Sequence, residues 1–433
     1  MTPFSRISVI GLGYIGLPTA AVFASRRIEV VGVDVNAAAV ETINRGEIHI
    51  VEPDLDIAVH AAVTEGYLRA TTTPEPAQAF LVAVPTPFKG ADHEPDLSYI
   101  EAAAQAIAPV LEAGNLVVLE STSPVGATEK MAAWLAEARP DLSFPQDAGE
   151  TSDIRIAHCP ERVLPGKVMQ ELFSNDRVIG GMTPRCSDAA MALYKTFVQG
   201  DCVITNARTA EMAKLTENSF RDVNIAFANE LSVICDQLDI DVWELIGLAN
   251  RHPRVNILQP GPGVGGHCIA VDPWFIVSRT PQAARLIRTA RLVNDDKPEW
   301  VVEKVLEGVA RIAARQGCAA DRVRIACYGL AFKPDIDDLR ESPALGIVKT
   351  LAARHAGALM VVEPNIRALP SSLKGPLEVG QESGPERGVD LVDLDTARTT
   401  ADLHVMLVGH REFKDAAPPQ GYLVDAQGVW RLA

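Results

Sequence analysis

A glycine pattern near the N-terminus places the strongest constraint on the fold. Three glycines follow the apolar run Ile7–Ile10 and precede the helical run Leu17–Ser25: Gly11, Gly13 and Gly16. In this strand–turn–helix setting, glycines permit a tight turn, close approach of the backbone to a pyrophosphate, and close packing of helix on strand. The pattern therefore predicts a dinucleotide-binding α/β domain, although a glycine turn in another α/β fold stays open as the alternative.

The end of the second predicted strand indicates which dinucleotide binds. Strand Glu29–Val33 is followed by Asp34, about twenty residues after the glycines, where a carboxylate can bind the ribose hydroxyls. No Arg occurs in the next three residues, so a 2′-phosphate would meet unrelieved negative charge. The sequence therefore predicts NAD rather than NADP.

The α/β pattern recurs along the chain, whose 433 residues exceed the size at which one core usually stops growing, about 250–300 residues. Short apolar runs continue the first sheet at Ala79–Val84, Leu116–Glu120, Ile154–Cys159 and Arg177–Gly180. A second strand–helix–strand unit and further strands follow at Arg324–Tyr328, Ala344–Ala353, Leu359–Glu363, His404–Val408 and Tyr422–Asp425. These runs predict an α/β fold with two Rossmann-like, doubly wound domains.

Between the two sheets the sequence is predominantly helical. Thr209–Leu238 contains neither Gly nor Pro and carries strong helix formers, which predicts one long helix. Further helices are predicted at Val242–Asn250, Ala283–Asn294 and Glu299–Arg315, whereas Gly375–Arg398 is assigned no regular element. We therefore expect three domains: an NAD-binding Rossmann-like domain at residues 1–208, a helical domain at residues 209–316, and a second Rossmann-like domain at residues 317–433.

Composition and charge exclude several classes of partner. Forty Lys and Arg stand against 56 Asp and Glu, and the resulting charge of −16 argues against general nucleic-acid binding. The N-terminus lacks the apolar core of a signal peptide, and no apolar run approaches the ~18 residues of a membrane span. The seven cysteines include no CxxC pair, which argues against a disulfide framework or a zinc site. We expect a cytoplasmic protein without nucleic-acid, membrane or metal partners.

One cysteine differs from the others in its setting. Cys268 follows a run of glycines and prolines, and a Gly-rich segment that enters an element exposes backbone N–H groups, which lower the pKa of a thiol. If a helix begins at Cys268, Asp272 lies one turn further on the same face. From this pattern alone, a nucleophile and a buried apolar residue are equally open for Cys268, whereas Cys235 and Cys327 are interpreted as buried.

The long predicted helix carries polar residues on one stripe. Lys214, Asn218 and Arg221 are spaced i, i+4 and i+7, which places their side chains together on the helix surface. Such a stripe is commonly a solvated face. Further along, however, polar residues are interleaved with apolar ones: Phe220, Val223, Asn224, Ile225, Phe227, Asn229 and Glu230. We therefore expect the middle of the helix to be buried, with partners for its polar groups.

Five spaced motifs resemble one enzyme family over nearly the whole chain. They are Gly11-Leu-Gly-Tyr-Ile-Gly-Leu-Pro, Glu120-Ser-Thr-Ser-Pro-Val-Gly, Glu211-x-x-Lys214-x-x-x-Asn218, Gly265-Gly-x-Cys268 and Phe332-Lys333-x-x-x-x-Asp338-x-Arg340-Glu-Ser342. The chain thereby resembles the UDP-sugar 6-dehydrogenases, which make nucleotide-linked uronic acids. Within that family, the segments that begin at His158, Arg251 and Gly261 are similar to the branch that acts on UDP-N-acetyl-D-mannosamine.

The resemblance implies a four-electron oxidation of C6 of the sugar, with two NAD per turnover, for a cell-surface polysaccharide precursor. Cys268 is implied as the nucleophile that forms a thiohemiacetal and then a thioester, because an aldehyde has no hydride-donating hydroxyl until something adds to it. Lys214 is implied as a proton donor and acceptor, or as the cation beside an oxyanion. Asp272 and Asn218 belong to the implied catalytic set, and Glu161 assists hydrolysis.

The resemblance also implies which residues bind the two ligands. The NAD site is expected to be lined by Gly11, Gly13, Tyr14, Ile15, Gly16, Asp34, Thr86, Thr122 and Thr128, with Arg340 nearby. The UDP-sugar site is expected to be lined by Arg162, Val163, Lys214, Asn218, Arg221, His252, Arg254, Gly266 and Lys333. Because Thr209–Leu238 is too long for one small domain to cover, we expect a homodimer, and the cations of loop 251–254 are expected to complete the partner's active site. The resemblance points the same way: it implies that residues 209–316 form the dimer interface and carry Lys214 and Cys268, and that residues 317–433 bind the UDP-sugar.

Other functions stay open at this point. A two-electron dehydrogenase of the 3-hydroxyacid or 6-phosphogluconate type would share the first domain and the long helix, but would need neither Cys268 nor a second α/β domain. A non-enzymatic NAD-binding sensor would account for the glycine pattern, but not for Lys214 and Cys268. UDP-glucose or UDP-N-acetylglucosamine could also replace the expected substrate. The yield of NADH per sugar separates the three classes, since the family produces two, a simple dehydrogenase one, and a sensor none.

Overall fold

The computed structural model describes residues 4–90, 93–164, 166–266, 268–373 and 388–430. Contacts within the chain divide it into two units. The first consists of residues 1–217 and 274–283, and the second of residues 218–273 and 284–433. The finer division into three domains stays a prediction. Within the described ranges, no helix combines the length and the apolar character needed to cross a bilayer.

The first unit is built on an eight-stranded sheet. Its strands, together with the short hairpin β5–β6, are β1 (Arg6–Ile10), β2 (Glu29–Val33), β3 (Leu68–Thr71), β4 (Ala79–Val82), β5 (Phe88–Lys89), β6 (Glu94–Pro95), β7 (Leu116–Leu119), β8 (Arg155–His158), β9 (Arg177–Gly181) and β10 (Cys202–Asn206). The order is β10-β9-β8-β7-β4-β1-β2-β3, and only β8 and β9 pair antiparallel. The chain changes direction across the sheet between β1 and β4, which is where such sheets bind ligands.

Helices cover both faces of this sheet: α1 (Gly16–Ser25), α2 (Ala37–Asn44), α3 (Leu55–Thr64), α4 (Ser98–Ile107), α5 (Ala127–Ala138), α6 (Pro145–Ala148), α7 (Val168–Ser174) and α8 (Pro184–Tyr194). Alternate residues of β1 point to opposite faces, so that Val9 packs with α1 and Ile10 packs with α4. Strands with apolar side chains on both faces favour the parallel, doubly covered arrangement.

The second unit combines helices with a five-stranded parallel sheet. The helices that follow the first sheet along the chain are α9 (Ala207–Gln237), α10 (Val242–Ala249), α11 (Asp272–Arg279) and α12 (Arg285–Gln316), of which residues 207–217 and 274–279 belong to the first unit. The sheet and its helices follow as β11 (Ile325–Tyr328), α13 (Pro343–Arg354), β12 (Leu359–Val362), β13 (Val389–Leu391), α14 (Leu394–Thr400), β14 (Leu403–Met406), α15 (Arg411–Lys414) and β15 (Tyr422–Asp425). The strand order is β13-β12-β11-β14-β15, which confirms the second Rossmann-like domain.

The observed elements differ from the sequence-based expectation in four places. The two helices expected at 283–294 and 299–315 form one helix, α12, which continues through Pro298 because both halves bury apolar residues such as Ala290 and Val301. Strand β13 and helix α14 lie within 389–400, where no element was expected, while residues 374–387 lie outside the described ranges. Strand β3 was missed because polar residues interrupt it. Strand β10 was missed because it is a largely exposed edge strand. The helix that could have started at Cys268 starts at Asp272.

The middle of α9 is less buried in this single chain than its sequence suggests. Asn229 is buried, but Phe220 is 70% exposed and Phe227 is 53% exposed. Exposed side chains of this size on one helix are typical of a surface that another chain covers. The prediction of burial is therefore wrong for Phe220 and Phe227 in the single chain, whereas a polar group of this segment has the expected partner: Asn229 Nδ2 donates to Asn294 Oδ1 at 2.9 Å.

Candidate active site

The glycine turn after β1 has the geometry that the sequence predicts. Gly11 has a φ of +91°, and a Cβ placed on it would lie 2.6 Å from the carbonyl oxygen of Ala83. A Cβ on Gly16 would lie 1.8 Å from the carbonyl oxygen of Gly11, whereas one on Gly13 would meet no atom within 4 Å. Two of the glycines therefore permit close packing, and the third leaves open space where a pyrophosphate can approach.

Asp34 and Thr86 supply polar groups at the same edge of the sheet. Asp34 Oδ2 accepts a hydrogen bond from Leu12 N at 2.9 Å, and Oδ1 accepts one from Asn36 N at 2.9 Å. The hydroxyl oxygen of Thr86 is buried and has no hydrogen-bond partner among the described residues. Buried hydroxyls normally have a partner, so Thr86 fits a ligand that supplies one. The residues present at the turn therefore fit a dinucleotide. Within the turn Tyr14 is exposed and Ile15 is half-buried, and Thr122, which follows β7, is half-buried.

Replacing Asp34 is expected to weaken NAD selectively. Asp34→Ala removes the carboxylate that would bind the ribose hydroxyls, and we expect the Kd for NAD to rise about tenfold or more. Isothermal titration with NAD and with UDP, separately, would measure the effect. Asp34→Asn, which keeps an oxygen for Leu12 N, is the matched control and should lose less NAD affinity. Equal weakening of both ligands, or comparable kcat/KM for NAD and NADP in the unmodified protein, would contradict the role of Asp34.

Thr128 and Glu211 join α5 to α9 in the first unit. The Thr128 hydroxyl donates to Glu211 Oε1 at 2.7 Å, and the same carboxylate accepts from Thr128 N at 2.8 Å and Gly126 N at 2.7 Å. Burial raises the pKa of the Glu211 carboxyl, although these hydrogen bonds act in the opposite direction. Glu211 had no role assigned from the sequence. Its position three residues before Lys214 shows that it anchors the turn of α9 that carries Lys214.

Glu161 lies in a buried group of charged residues behind the ends of β8 and β9. Its Oε1 accepts from Arg162 N at 2.7 Å, and its Oε2 accepts from Arg177 Nη1 at 2.5 Å. The Arg177 guanidinium lies 5.3 Å from the centre of the Tyr194 ring, and Tyr194 donates to Glu120 Oε1 at 2.6 Å. No role was predicted for Arg177 from the sequence. A charged residue at the start of an apolar strand could have indicated a buried ion pair. Both oxygens of Glu161 are thus fixed in direction by two donors.

Glu120→Gln is expected to stabilise the protein at alkaline pH. Burial raises the pKa of the Glu120 carboxyl from 4.5 to about 7, so the folded state holds a proton that the unfolded state has released between these values. Stability therefore falls as pH rises through this window and stays lower above it. Gln carries no charge and retains an oxygen for Tyr194, so we expect a gain of roughly 2 kcal/mol at about pH 8.5 that shrinks towards about pH 5.5.

Urea denaturation at both pH values would measure this gain. The exposed Glu137→Gln on α5 is the matched control, and we expect it to change stability equally little at either pH. A gain for Glu120→Gln that is the same at both values would mean that Glu120 does not titrate in this window.

In the second unit, Cys268 lies in a turn directly before α11. The residue is exposed, and its carbonyl oxygen accepts from Val271 N at 3.1 Å and from Asp272 N at 2.8 Å. Asp272 is buried and its Oδ2 accepts from Asn218 Nδ2 at 2.5 Å. The turn thus gives Cys268 and Asp272 the one-turn separation expected of a helix, although the helix itself begins later. The structure brings Asn218, Asp272 and the turn of Cys268 together.

The glycine run before Cys268 packs tightly against the loop after β11. A Cβ on Gly265 would lie 2.4 Å from the carbonyl oxygen of Glu341, and one on Gly266 would lie 3.0 Å from the Phe332 ring. Gly266 also has a φ of +85°, which side chains rarely adopt. Glycine is therefore required in this run by packing, and the packing holds the turn of Cys268 against the residues next to Lys333.

The remaining predicted site residues have varied surroundings. Arg162 Nη2 pairs with Glu217 Oε1 at 2.6 Å, and Arg340 Nη2 pairs with Asp338 Oδ2 at 2.6 Å. Val163, Lys214 and Lys333 are half-buried, whereas Arg221, His252 and Arg254 are exposed. Lys214 belongs to the first unit, and Asn218, Cys268 and Asp272 belong to the second. The ligand contacts of these residues stay predictions.

Comparisons with known proteins define the class. Three models of the UDP-glucose/GDP-mannose dehydrogenase family match the chain: the NAD binding domain at residues 5–198, the central domain at 208–296 and the UDP binding domain at 326–431. The chain belongs to this family and is an NAD-dependent dehydrogenase. This confirms the resemblance, the cofactor and the fold class, and it argues against a dehydrogenase of the 3-hydroxyacid or 6-phosphogluconate type and against an NAD-binding sensor.

Individual relatives are similar over their full length. The chain is 68% identical to UDP-N-acetyl-D-mannosamine dehydrogenase of Yersinia pestis, covering 99% of this chain and 100% of that protein. It is 62% identical to NDP-N-acetyl-D-galactosaminuronic acid dehydrogenase of Ralstonia nicotianae, covering 99% and 96%. Among solved structures, UDP-D-ManNAc dehydrogenase of Pyrococcus horikoshii matches with a TM-score of 0.85 at 36% identity, covering 99% of this chain and 96% of that one.

Proposed function

We propose that this chain oxidises C6 of UDP-N-acetyl-D-mannosamine to the carboxylate of UDP-N-acetyl-D-mannosaminuronate, a precursor of a cell-surface polysaccharide. The observation that carries the chemistry is the exposed Cys268 in a turn after a glycine run, beside the bonded pair Asn218 and Asp272. The names of the Yersinia pestis and Pyrococcus horikoshii relatives support the substrate. The Ralstonia nicotianae relative makes a galactosamine-derived sugar the second candidate.

The proposed chemistry proceeds through a covalent bond to Cys268. NAD, when bound, accepts the hydride in each of the two oxidations. After the first oxidation, Cys268 Sγ bonds to C6 of the aldehyde and the carbonyl oxygen takes a proton, which forms a thiohemiacetal. Loss of hydride from C6 and of the hydroxyl proton converts it to a thioester. Water then bonds to C6, the C–S bond breaks, and the carboxylate and the thiol are released.

Three ionisable side chains would handle the protons of these steps. Lys214 would take the proton of the C6 hydroxyl and stabilise the developing oxyanion. Asp272 is held by Asn218 and would orient water or Lys214. Glu161 would assist hydrolysis, and its ion pair with Arg177 keeps its carboxylate in one orientation. The UDP-sugar would be bound by seven further residues: Arg162, Val163, Arg221, His252, Arg254, Gly266 and Lys333. Of these, Arg162 would lie near the N-acetyl group or the sugar.

The yield of NADH per sugar tests this function. Limiting UDP-N-acetyl-D-mannosamine should give two NADH per sugar, and kcat/KM should exceed the values for UDP-glucose, UDP-N-acetylglucosamine and UDP-N-acetylgalactosamine. Mass spectrometry should show that the product has gained one oxygen and lost two hydrogens. One NADH per sugar would contradict the covalent four-electron route, and a higher kcat/KM for another sugar would replace the substrate while keeping the chemistry.

A further inference from the structure

The second unit repeats the glycine and acid geometry of the first. Gly329 follows β11 with a φ of +91° and donates to Val362 O at 2.8 Å, as Gly11 follows β1 with the same φ and donates to Val33 O at 2.8 Å. The next residue donates to an acid that directly follows the second strand. Leu330 N bonds to Glu363 Oε2 at 2.7 Å, as Leu12 N bonds to Asp34 Oδ2 at 2.9 Å.

The acid of the second unit is Glu363, which is buried and bonded to other side chains, whereas Asp34 is only half-buried. Glu363 and His410 are both buried, and His410 Nε2 lies 3.0 Å from Glu363 Oε2. The same oxygen also accepts from Ala331 N at 3.1 Å, and Oε1 accepts from Asn365 N at 3.1 Å. A carboxylate surrounded by these donors offers little to a ribose. The position that would bind a second dinucleotide is therefore filled by the imidazole of His410.

The other ring nitrogen of His410 holds the loop that follows β11. Asp335 N donates to His410 Nδ1 at 2.9 Å, so Nδ1 acts as an acceptor and Nε2 is the nitrogen that can donate to Glu363. Asp335 has a φ of +62°, which is uncommon for a residue other than glycine. Its Oδ1 accepts from Arg411 N at 2.9 Å. A backbone conformation of this kind persists only where its surroundings fix it, and here His410 and Arg411 do so.

The loop held in this way carries candidate substrate contacts. We infer that Glu363 and His410 are positioning residues, which fix loop 329–342 so that Lys333 meets the UDP-sugar, an assignment that rests on the proposed function. Lys333 lies two residues before Asp335, and Phe332 packs against Gly266 of the run that leads to Cys268. The pair therefore acts on the substrate through the loop, since neither side chain needs to contact the ligand itself.

Two variants of His410 separate positioning from simple packing. His410→Gln can place an amide donor near the Nε2 position and keep Glu363 bonded, but it leaves Asp335 N without its acceptor. His410→Asn is shorter and can place an oxygen near Nδ1, which keeps Asp335 N bonded. We expect the Kd for UDP to rise about tenfold in His410→Gln and to stay near the wild-type value in His410→Asn, with NAD affinity unchanged in both.

His404 provides a matched control in the same sheet. It is also buried, and its ring nitrogens lie 2.9 Å from the Tyr328 hydroxyl and 3.1 Å from Gln420 O, neither of which is in loop 329–342. His404→Gln should lower the Tm as much as His410→Gln does, yet leave the Kd for UDP unchanged. Amide hydrogen exchange of a peptide that spans 329–342 should become faster in His410→Gln only.

The outcomes are distinguishable. Unchanged UDP affinity and unchanged exchange in His410→Gln would overturn the positioning role, as would equal weakening of UDP in His404→Gln or His410→Asn. If the unmodified protein binds no UDP, the proposed function fails. In that case the part of the inference that Lys333 meets the UDP-sugar also fails. The hydrogen-exchange rates of loop 329–342 still decide whether His410 holds that loop.

Discussion

Cys268→Ala is expected to abolish formation of the uronate while the fold survives. In the proposed route the Cys268 thiol supplies the protein atom that bonds to C6, and without it the aldehyde has no covalent adduct from which the second hydride can leave. The side chain is exposed, so its removal costs little packing. We expect the rate of uronate formation to fall by roughly 10⁴-fold or more.

Product analysis measures this effect better than NADH production alone. A variant that stops at the aldehyde releases one NADH per sugar and remains compatible with the covalent route, whereas normal uronate production would refute that route. Cys235→Ala is the matched control, because Cys235 is buried in α9 and has no role in the site. It should lower the Tm, since it leaves a small cavity, and leave the yield of two NADH per sugar unchanged.

The sequence predicted those parts of the fold that depend on short-range patterns. Strand β2 (Glu29–Val33) and helix α1 (Gly16–Ser25) depend on local apolar periodicity and on turn chemistry. The sequence located both of them to within a residue. Pro298 shows where local rules fail. A proline normally ends a helix, but burial along both halves of α12 outweighs the lost hydrogen bond.

The pairings inside the site could not be read from the sequence. Arg177 meets Glu161 because an antiparallel strand returns beside β8, and His410 meets Glu363 from 47 positions away. Both pairs depend on tertiary contacts, which the spacing of residues in the sequence does not predict. Asp34, in contrast, follows its strand at a spacing that the fold itself fixes, and so its place could be predicted.

The chain is expected to act as a homodimer whose active sites are shared between subunits. Three apolar residues on α9 are spaced by seven and stay exposed in the single chain: Phe220 at 70%, Phe227 at 53% and Ile234 at 41%. Residues with this spacing lie along one side of a helix, where a second copy can cover them. Phe227→Asp should therefore convert the dimer to a monomer, as sedimentation velocity would show.

The loop between α10 and the glycine run is the part expected to reach the partner's site. Its base is closed by Asn250, which bonds Ile257 N at 2.7 Å and Ile257 O at 3.0 Å, while His252 and Arg254 project exposed from it. The guanidinium groups of Arg251 and Arg254, in an acidic chain, attract an anion such as the pyrophosphate of a UDP-sugar. The alternative is a surface loop whose arginines pair with nearby carboxylates, and it predicts that Arg254→Ala leaves activity intact.

Mixing two inactive variants, Cys268→Ala and Arg254→Ala, is expected to restore activity when subunits exchange. If Arg254 serves the partner's site, each mixed dimer contains one site with both residues intact, so an equal mixture should recover about a quarter of the wild-type sites. Cys268→Ala mixed with Asp272→Asn is the matched control: these two residues come from one turn of one chain, so no mixed site is intact and no activity should return. Absence of recovery with Arg254→Ala, despite exchange shown by native mass spectrometry, would mean that Arg254 serves its own subunit or lies outside the site.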